Sequence, residues 1–479
     1  MLKSRLCIAF FAFAVGCAPA QKPLTDYVNP MLGTATLWDS VDLGFKPTKR
    51  TWGAEVFPGS SLPNAMVQVS PVTKFHSGAG YQYEDSVIYG FTHTNKGHWN
   101  LCHIPLLPVT GTPTPGDYCS PFSHERESAA PGYYQVFLDR YGVDAQLSST
   151  LRCAFHKYTY PAGAAVAVLA DLQRSNEHVR AWDIRKEGDN VFAGWQQTGE
   201  KMYFYAVANR PVTGIEPVVE GDREVRIVRF GEGDGALELR IGFSFVSEKN
   251  ARENLEAEML GKSFAEVRSE ATATWNDLLG RIRVEGGTER EKGLFYSSLY
   301  RSFLWPALRS DVNGEFTDVD GKVINPGFRY YTGPSYWDDY RNKLILLGML
   351  APDVAADVIS SDTDKGEKRG GFMPTFFHGD HASAFVAGTY LRGNRGFDVN
   401  RAYNLVLRNA TVQGPSRPWL DEYIAKGYIS EMDVENPVTW TVCKAAVTKT
   451  LEYSYDDYAV ALLADALGDK ENRDMLMKR

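Results

Sequence analysis

The feature that most constrains this chain is a change of period near Glu248. Before it, Leu237, Leu239, Ile241, Phe243 and Phe245 alternate strictly with Glu238, Arg240, Gly242 and Ser244, which is the period of a half-buried strand. Similar runs occupy residues 65–70, 133–139, 146–160, 164–170 and 202–209, separated by turns rich in Gly, Pro and Asn. Many short strands without interleaved helices predict an antiparallel sandwich rather than a doubly wound sheet. After Glu248 the spacing becomes helical. Leu255, Met259, Phe264 and Val267 predict a linking helical pair over 251–279, and Phe295, Leu299 and Phe303 stack at i, i+4 and i+8. Pro352 opens a helix carrying Val354 and Val358. Asn436 and Pro437 offer a cap and first turn to a long helix that ends near Gly468, with Val447, Leu451, Tyr458 and Leu462 on one apolar stripe.

At 479 residues the chain is long enough for about three ordinary domains, at about 150 residues each. The divisions expected are a leader over 1–20, a β-sandwich over 24–247, a helical linker over 248–285 and a helical domain over 286–479. A net charge of −8 excludes a basic field of the kind that attracts nucleic acid. Lys3 and Arg5 precede an apolar run from Leu6 to Val15 and the small residues Ala18-Pro19-Ala20, the pattern of a secretory signal too short to span a bilayer as a mature helix. Ala14-Val15-Gly16-Cys17 is also a loose lipobox, so export carries an expectation of either a soluble or a lipid-anchored, periplasmic or cell-surface protein. Loss of the leader leaves Cys102, Cys119, Cys153 and Cys443, an even number in an oxidising compartment. Cys102 and Cys119 are close enough in sequence to close a short loop.

One stretch concentrates chemistry. Gly333 and Pro334 punctuate a loop, Ser335 is an expected N-cap, and Trp337, Asp338, Asp339, Tyr340 and Arg341 follow. An aromatic ring beside carboxylates and a guanidinium suits a sugar, whose C–H face and hydroxyls need those groups. The bland alternative is a helix N-terminus with acidic residues for the dipole and Trp337 in the core. Phe377-His378-Gly379-Asp380-His381 is a second cluster. Its spacing suggests a transition-metal site only weakly. Asp456 and Asp457 lie in the long helix, facing either the interior, the solvent or Lys449, and Asp311 reads as a turn residue before Val312-Asn313-Gly314.

Taken in order, several blocks resemble glycoside hydrolase family 92, exported calcium-dependent α-mannosidases. They include Asp26-Tyr27-Val28-Asn29-Pro30, Val56-Phe57-Pro58-Gly59, Gly78-Ala79-Gly80-Tyr81, Gly90-Phe91-Thr92-His93-Thr94, Phe122-Ser123-His124-Glu125 and Pro131-Gly132-Tyr133-Tyr134. In the helical part Ser310-Asp311-Val312, Trp337-Asp338, Thr450-Leu451-Glu452-Tyr453 and Tyr455-Asp456-Asp457 continue the series. The resemblance implies a galactose-mutarotase-like β-sandwich, a helical linker and an (α/α)6 barrel, present here in part. It also implies inverting, exo-acting release of mannose from α-mannosides such as N-glycan or mannan side chains, with Ca2+ on the sugar hydroxyls. Asp338 would bind hydroxyls, Trp337 would shape the pocket, Arg341 would orient Asp338, and His381 would lie near the pocket. His93 and Trp99, in a sandwich loop, would meet the leaving-group sugar, with a buried structural role for His93 equally open. The family's general-acid Glu motif, Gly-Asn-Glu-Pro segment and Gly-Asn-Asp base segment are absent from this sequence. No catalytic residue or metal ligand is therefore assigned, the main Ca2+ ligands are expected beyond these 479 residues, and a truncated barrel is the expectation. The longer segment over 38–52 is expected to alter an outer subsite. A non-catalytic exported glycan-binding protein is the second reading, and another helical-barrel glycoside enzyme the third.

Overall fold

The structure is a computed structural model that describes residues 22–36, 44, 56–96, 99–231, 235–431 and 444–479. The leader, the insertion over 38–52 apart from Gly44, Cys443 and the Asn436-Pro437 cap lie outside the described residues.

Two antiparallel sheets form the first half. One runs Ser60–Ser61, Gln68–Val72, Gly90–Thr92, Leu106–Val109, Ala167–Ala170, Arg223–Phe230 and Val212–Glu220 in spatial order. The other runs Ala181–Gly188, Val191–Gln197, Lys201–Ala208, Leu237–Ser244, Cys153–Thr159, Val143–Ser149, Tyr133–Leu138 and Glu127–Ala130. The stretch expected as a single run over 146–160 is two strands that pair through Ser148 and Phe155. Leu237, Leu239, Ile241 and Phe243 are all buried, so the strict alternation does mark the inner face.

The outer face of the second sheet is covered too. Helices α1 (Glu248–Glu258) and α2 (Phe264–Leu279) place Leu255, Met259, Phe264 and Val267 against Tyr133, Cys153 and Phe155. Gly242 is the point of closest approach: a Cβ there would lie 2.1 Å from the Ala251 carbonyl oxygen. Ser263 and Glu266 form a reciprocal capping box that starts α2. Cys102, Cys119 and Cys153 are free thiols, so the short loop that Cys102 and Cys119 are close enough in sequence to close carries no disulfide. Cys102 is fully buried while Cys119 is partly exposed.

Among the described residues nine further helices follow: α3 (Glu289–Ser302), α4 (Tyr336–Asp339), α5 (Lys343–Leu350), α6 (Pro352–Lys368), α7 (Ala382–Leu391), α8 (Val399–Thr411), α9 (Leu420–Lys426), α10 (Ala446–Leu467) and α11 (Lys470–Leu476). No single helix among those residues is long and apolar enough to cross a membrane. The segment after α3 is tied to the sandwich by Asn64 and Gln68, whose side-chain amides donate to the carbonyls of Pro306 and Leu304 at 2.8 and 2.9 Å. One contiguous buried apolar cluster results. It runs from Met66 and Tyr134 in the sandwich through Trp275 and Tyr300 to Leu347, Val386 and Val460 in the helices.

Helix α10 packs on α7, α8 and α11, but not by the stripe expected from its sequence. Val447 and Leu451 are 71% and 67% exposed, and Tyr458 and Leu462 are exposed as well. The face that packs carries Tyr453, Asp456, Asp457, Val460, Leu463 and Ala464. Leu463→Ala should therefore cost about 2–5 kcal/mol. Leu451→Ala should stay within about 0.5 kcal/mol of wild type; denaturant unfolding of the two variants checks both.

Asp311 shows how tightly the two halves are joined. Its carboxylate accepts from Ser244 Oγ at 2.6 Å and from Asn254 Nδ2 at 2.7 Å, and its backbone carbonyl closes the turn to Gly314. Burial nonetheless pushes its pKa up to about 6, against those hydrogen bonds and the nearby Arg152. An unfolded Asp titrates near 4, so between roughly pH 4 and 6 the folded chain binds more protons than the unfolded one. Stability then rises as pH falls through that window. Relative to Asp311→Asn, the wild type should gain about 1–3 kcal/mol between pH 7 and pH 4, read as the difference between the two unfolding curves.

Candidate functional site

The site is built where α4, the loop before α7 and the first half of α10 meet. Helix α4 is a single turn. Ser335 precedes it but makes no side-chain cap to its backbone; the hydroxyl instead donates to Asp338 Oδ2 at 2.6 Å. Ser335, and not Arg341, is thus the residue that orients Asp338. Asp338 is exposed, whereas Asp339 is buried and paired with Lys343 Nζ at 3.2 Å. Arg341 donates to the Trp337 carbonyl at 3.3 Å, lies 3.7 Å from Glu452, and has its guanidinium 4.4 Å from the Tyr340 ring centre. Trp337, Asp338 and Arg341 therefore share one patch with Tyr340 and Glu452.

His381 lies directly beneath that patch and is fully buried. Its Nδ1 is 3.0 Å from Asp456 Oδ1, and its Nε2 is 3.3 Å from Glu452 Oε2. Tyr340 stacks on it with ring centres 3.7 Å apart and planes 10° from parallel, and donates to Glu452 at 3.3 Å. The arrangement is a relay of contacts, Asp456–His381–Glu452, in which Nδ1 pairs with Asp456 and Nε2 lies beside Glu452 without a hydrogen bond to it. Asp456 is immobilised in turn by the backbone N–H of Asp380 at 2.5 Å.

Below it sits a buried ionic layer. Arg417 is wholly buried between Asp380, 3.2 Å from its Nε, and Asp457, 2.5 Å from its Nη1. Asn409 and Ser383 supply two more hydrogen bonds to Asp380. Burial raises the Asp380 carboxyl above the usual range, opposed by Arg417. Neither Asp456 nor Asp457 faces solvent, and Lys449 donates to the Lys444 carbonyl.

The sandwich candidates lie elsewhere. His93 is fully buried, with its Nε2 3.0 Å from His156 Nε2 and its ring packed on Phe243. Desolvation lowers its pKa to about 3, so it is a neutral, packed imidazole. Trp99 belongs to a two-residue strand, Trp99–Asn100, paired with Asn95–Lys96; its backbone is described and its side chain is not. Among the described residues no hydrogen bond, ion pair or ring contact joins His93 to the Trp337 patch.

Glu452 and Arg417 are the members of this arrangement that residue-by-residue reading missed, whereas Asp380 and Asp456 stood out in the sequence without a role in it. Glu452 and Asp456 stood inside matched blocks, and Arg417 carried no local signal. Among the described residues no group of three or more His, Cys, Asp or Glu is placed to hold a metal ion. The His378–Asp380–His381 cluster is not one either: His381 Nδ1 is committed to Asp456, and the Asp380 carboxylate to Arg417, Asn409 and Ser383.

The chain is thus an antiparallel sandwich joined through helices to a helical domain that carries an aromatic-carboxylate patch. Models of the glycosyl hydrolase family 92 N-terminal domain and catalytic domain match residues 27–253 and 250–479, and the chain belongs to that family. It is similar to the family GH92 α-mannosidase BT3965 of Bacteroides thetaiotaomicron, with 26% identity, a TM-score of 0.84, and coverage of 95% of this chain and 64% of that one. The family GH92 inverting mannosidase BT2199 of the same organism has the same fold, at 24% identity and a TM-score of 0.83, covering 96% and 65%. An uncharacterised secreted glycosidase of Arthroderma benhamiae is 24% identical over 93% of this chain and 60% of its own length. The chain thus spans less than two thirds of the length of these relatives.

Proposed function

We propose that this chain carries the sugar-recognition part of an exported, exo-acting α-mannosidase. The observation that carries the reading is the patch itself, in a chain that the family models match over residues 27–479. There Trp337 lies beside Asp338, which Ser335 holds, and Glu452 is surrounded by His381, Tyr340 and Arg341. Asp338 would accept from hydroxyls of a terminal mannose and Trp337 would bound the pocket. The relatives named as mannosidases support the sugar; the leader-like sequence and the relative described as secreted support export.

Inverting hydrolysis needs an acid on the leaving oxygen and a base activating water on the opposite face. We assign neither role to a described residue. Ca2+ enters the proposal by resemblance alone. The described residues do not assemble ligands for it, so no step is derived through it.

Calorimetric titration with methyl α-mannoside and methyl α-glucoside tests the reading. The mannoside should bind preferentially, and Asp338→Ala should weaken it about tenfold or more, the loss of hydrogen bonds to a charged acceptor being worth about 1.5–3 kcal/mol. Equal binding of both epimers, or indifference to Asp338→Ala, would sink it. Turnover of an aryl α-mannoside that stops on chelation would add calcium-dependent hydrolysis; binding without turnover would favour a non-catalytic glycan binder.

A further inference from the structure

The loop before α7 carries features that the relay does not use. Phe377 has a φ of +60°, a left-handed conformation that a bulky residue rarely adopts. Strain of that kind persists where the surroundings impose it, and here it turns two aromatic rings outward. Phe376 and Phe377 are 43% and 38% exposed, with ring centres 3.9 Å apart. Phe377 meets the Trp337 ring edge-on at 5.9 Å, and His378 does so at 6.1 Å.

Two polar atoms in this cluster are unsatisfied. Trp337 Nε1 and His378 Nδ1 are both buried with no hydrogen-bond partner. A buried donor or acceptor left unpaired is costly, and these two belong to rings whose centres are 6.1 Å apart, close enough for the hydroxyls of one ligand to pair both. Desolvation and Lys449 also hold His378 below the usual imidazole pKa, so a neutral ring is offered, suited to an uncharged hydroxyl.

We propose that Phe377 and His378 are sugar-contacting residues that set which glycan the Trp337 patch accepts. Phe377 supplies a stacking surface for the C–H face of a pyranose. His378 Nδ1 and Trp337 Nε1 hydrogen-bond its hydroxyls. His381, the imidazole singled out from sequence, then acts only as a positioning residue for Glu452. The ligand class is a neutral pyranose at the end of a glycan. That assignment rests on the carbohydrate reading above, although not on which epimer is bound.

The test uses the full chain and a panel of methyl α-mannoside, α-glucoside and α-galactoside, titrated calorimetrically against wild type, Phe377→Gly, His378→Ala and Asp338→Ala. Glycine keeps the left-handed backbone without strain, so Phe377→Gly should still fold cooperatively while losing the ring. Each of the two loop variants should weaken the best ligand about tenfold or more, a loss of about 1.4 kcal/mol. In wild type the Trp337 indole N–H resonance should shift on saturation. Mannoside binding that both loop variants retain within twofold overturns this proposal and leaves the α-mannoside reading standing. Preference for a glucoside or galactoside, lost in both loop variants, removes the mannoside reading and supports this one. No binding of any of the three by folded wild type overturns both.

Discussion

Replacing Arg417 with Ala should destabilise the fold by about 3–5 kcal/mol. The side chain is completely buried, and its Nε and Nη1 face Asp380 and Asp457. Truncation would leave two carboxylates in a low-dielectric interior with no cation between them. Breaking a buried pair from one side costs far more than the pair contributes. Asp380 also donates through its backbone to Asp456, so the damage should spread to the relay and release His381. Arg417→Lys keeps the charge but not the planar fork, and should recover only part of the loss. Denaturant unfolding followed by far-UV circular dichroism measures the cost. A wild-type midpoint for Arg417→Ala would show that the layer is not needed for folding.

Trp275→Ala should cost about 3–5 kcal/mol through the cavity it leaves. Trp275 lies on α2, wholly buried, with its ring 4.3 Å from that of Tyr300 and its Nε1 donating to the Ser61 carbonyl at 2.7 Å. One side chain thus joins the linker, the first helix of the helical domain and the first strand of the sandwich. Trp275→Phe keeps most of the volume but orphans the Ser61 carbonyl, and should cost about 1–3 kcal/mol. Thermal melts of the two variants should rank in that order. A larger loss from Phe than from Ala would show that the hydrogen bond, and not packing, sets the cost.

The sandwich was legible because its signal is local. Each inward residue from Leu237 to Phe243 declares its face by alternation with its neighbours, and the helical pair after Glu248 did the same at longer period. Helix α10 shows the limit of such reasoning. The stripe read from its sequence points outward, and the face that packs carries Asp456 and Asp457 among Tyr453, Val460, Leu463 and Ala464. Their partners His381 and Arg417 lie 75 and 40 residues away in sequence, so no window on the helix reveals that the carboxylates are satisfied. Ser335 is similar at short range: the residue type is right for a cap, yet its hydroxyl serves Asp338. The Trp337–Asp338 pair was visible as composition and as a family block. Glu452 also stood in a family block, but its place in the patch was not legible, because a carboxylate three residues before Tyr455 looks like any exposed helix position until Tyr340 and His381 are folded against it.

The apolar cluster that threads from Met66 through Trp275 to Val460 without a break separates two meanings of the word domain. By architecture the chain divides where strands give way to helices. By energetics it does not, since there is no solvent layer across which one part can melt while the other keeps its buried surface. The calorimetric unit is therefore larger than the architectural one. Heat absorption should follow a single endotherm, with a van't Hoff enthalpy near the calorimetric value, and a protease that nicks the chain near Glu248 should release no piece that stays folded.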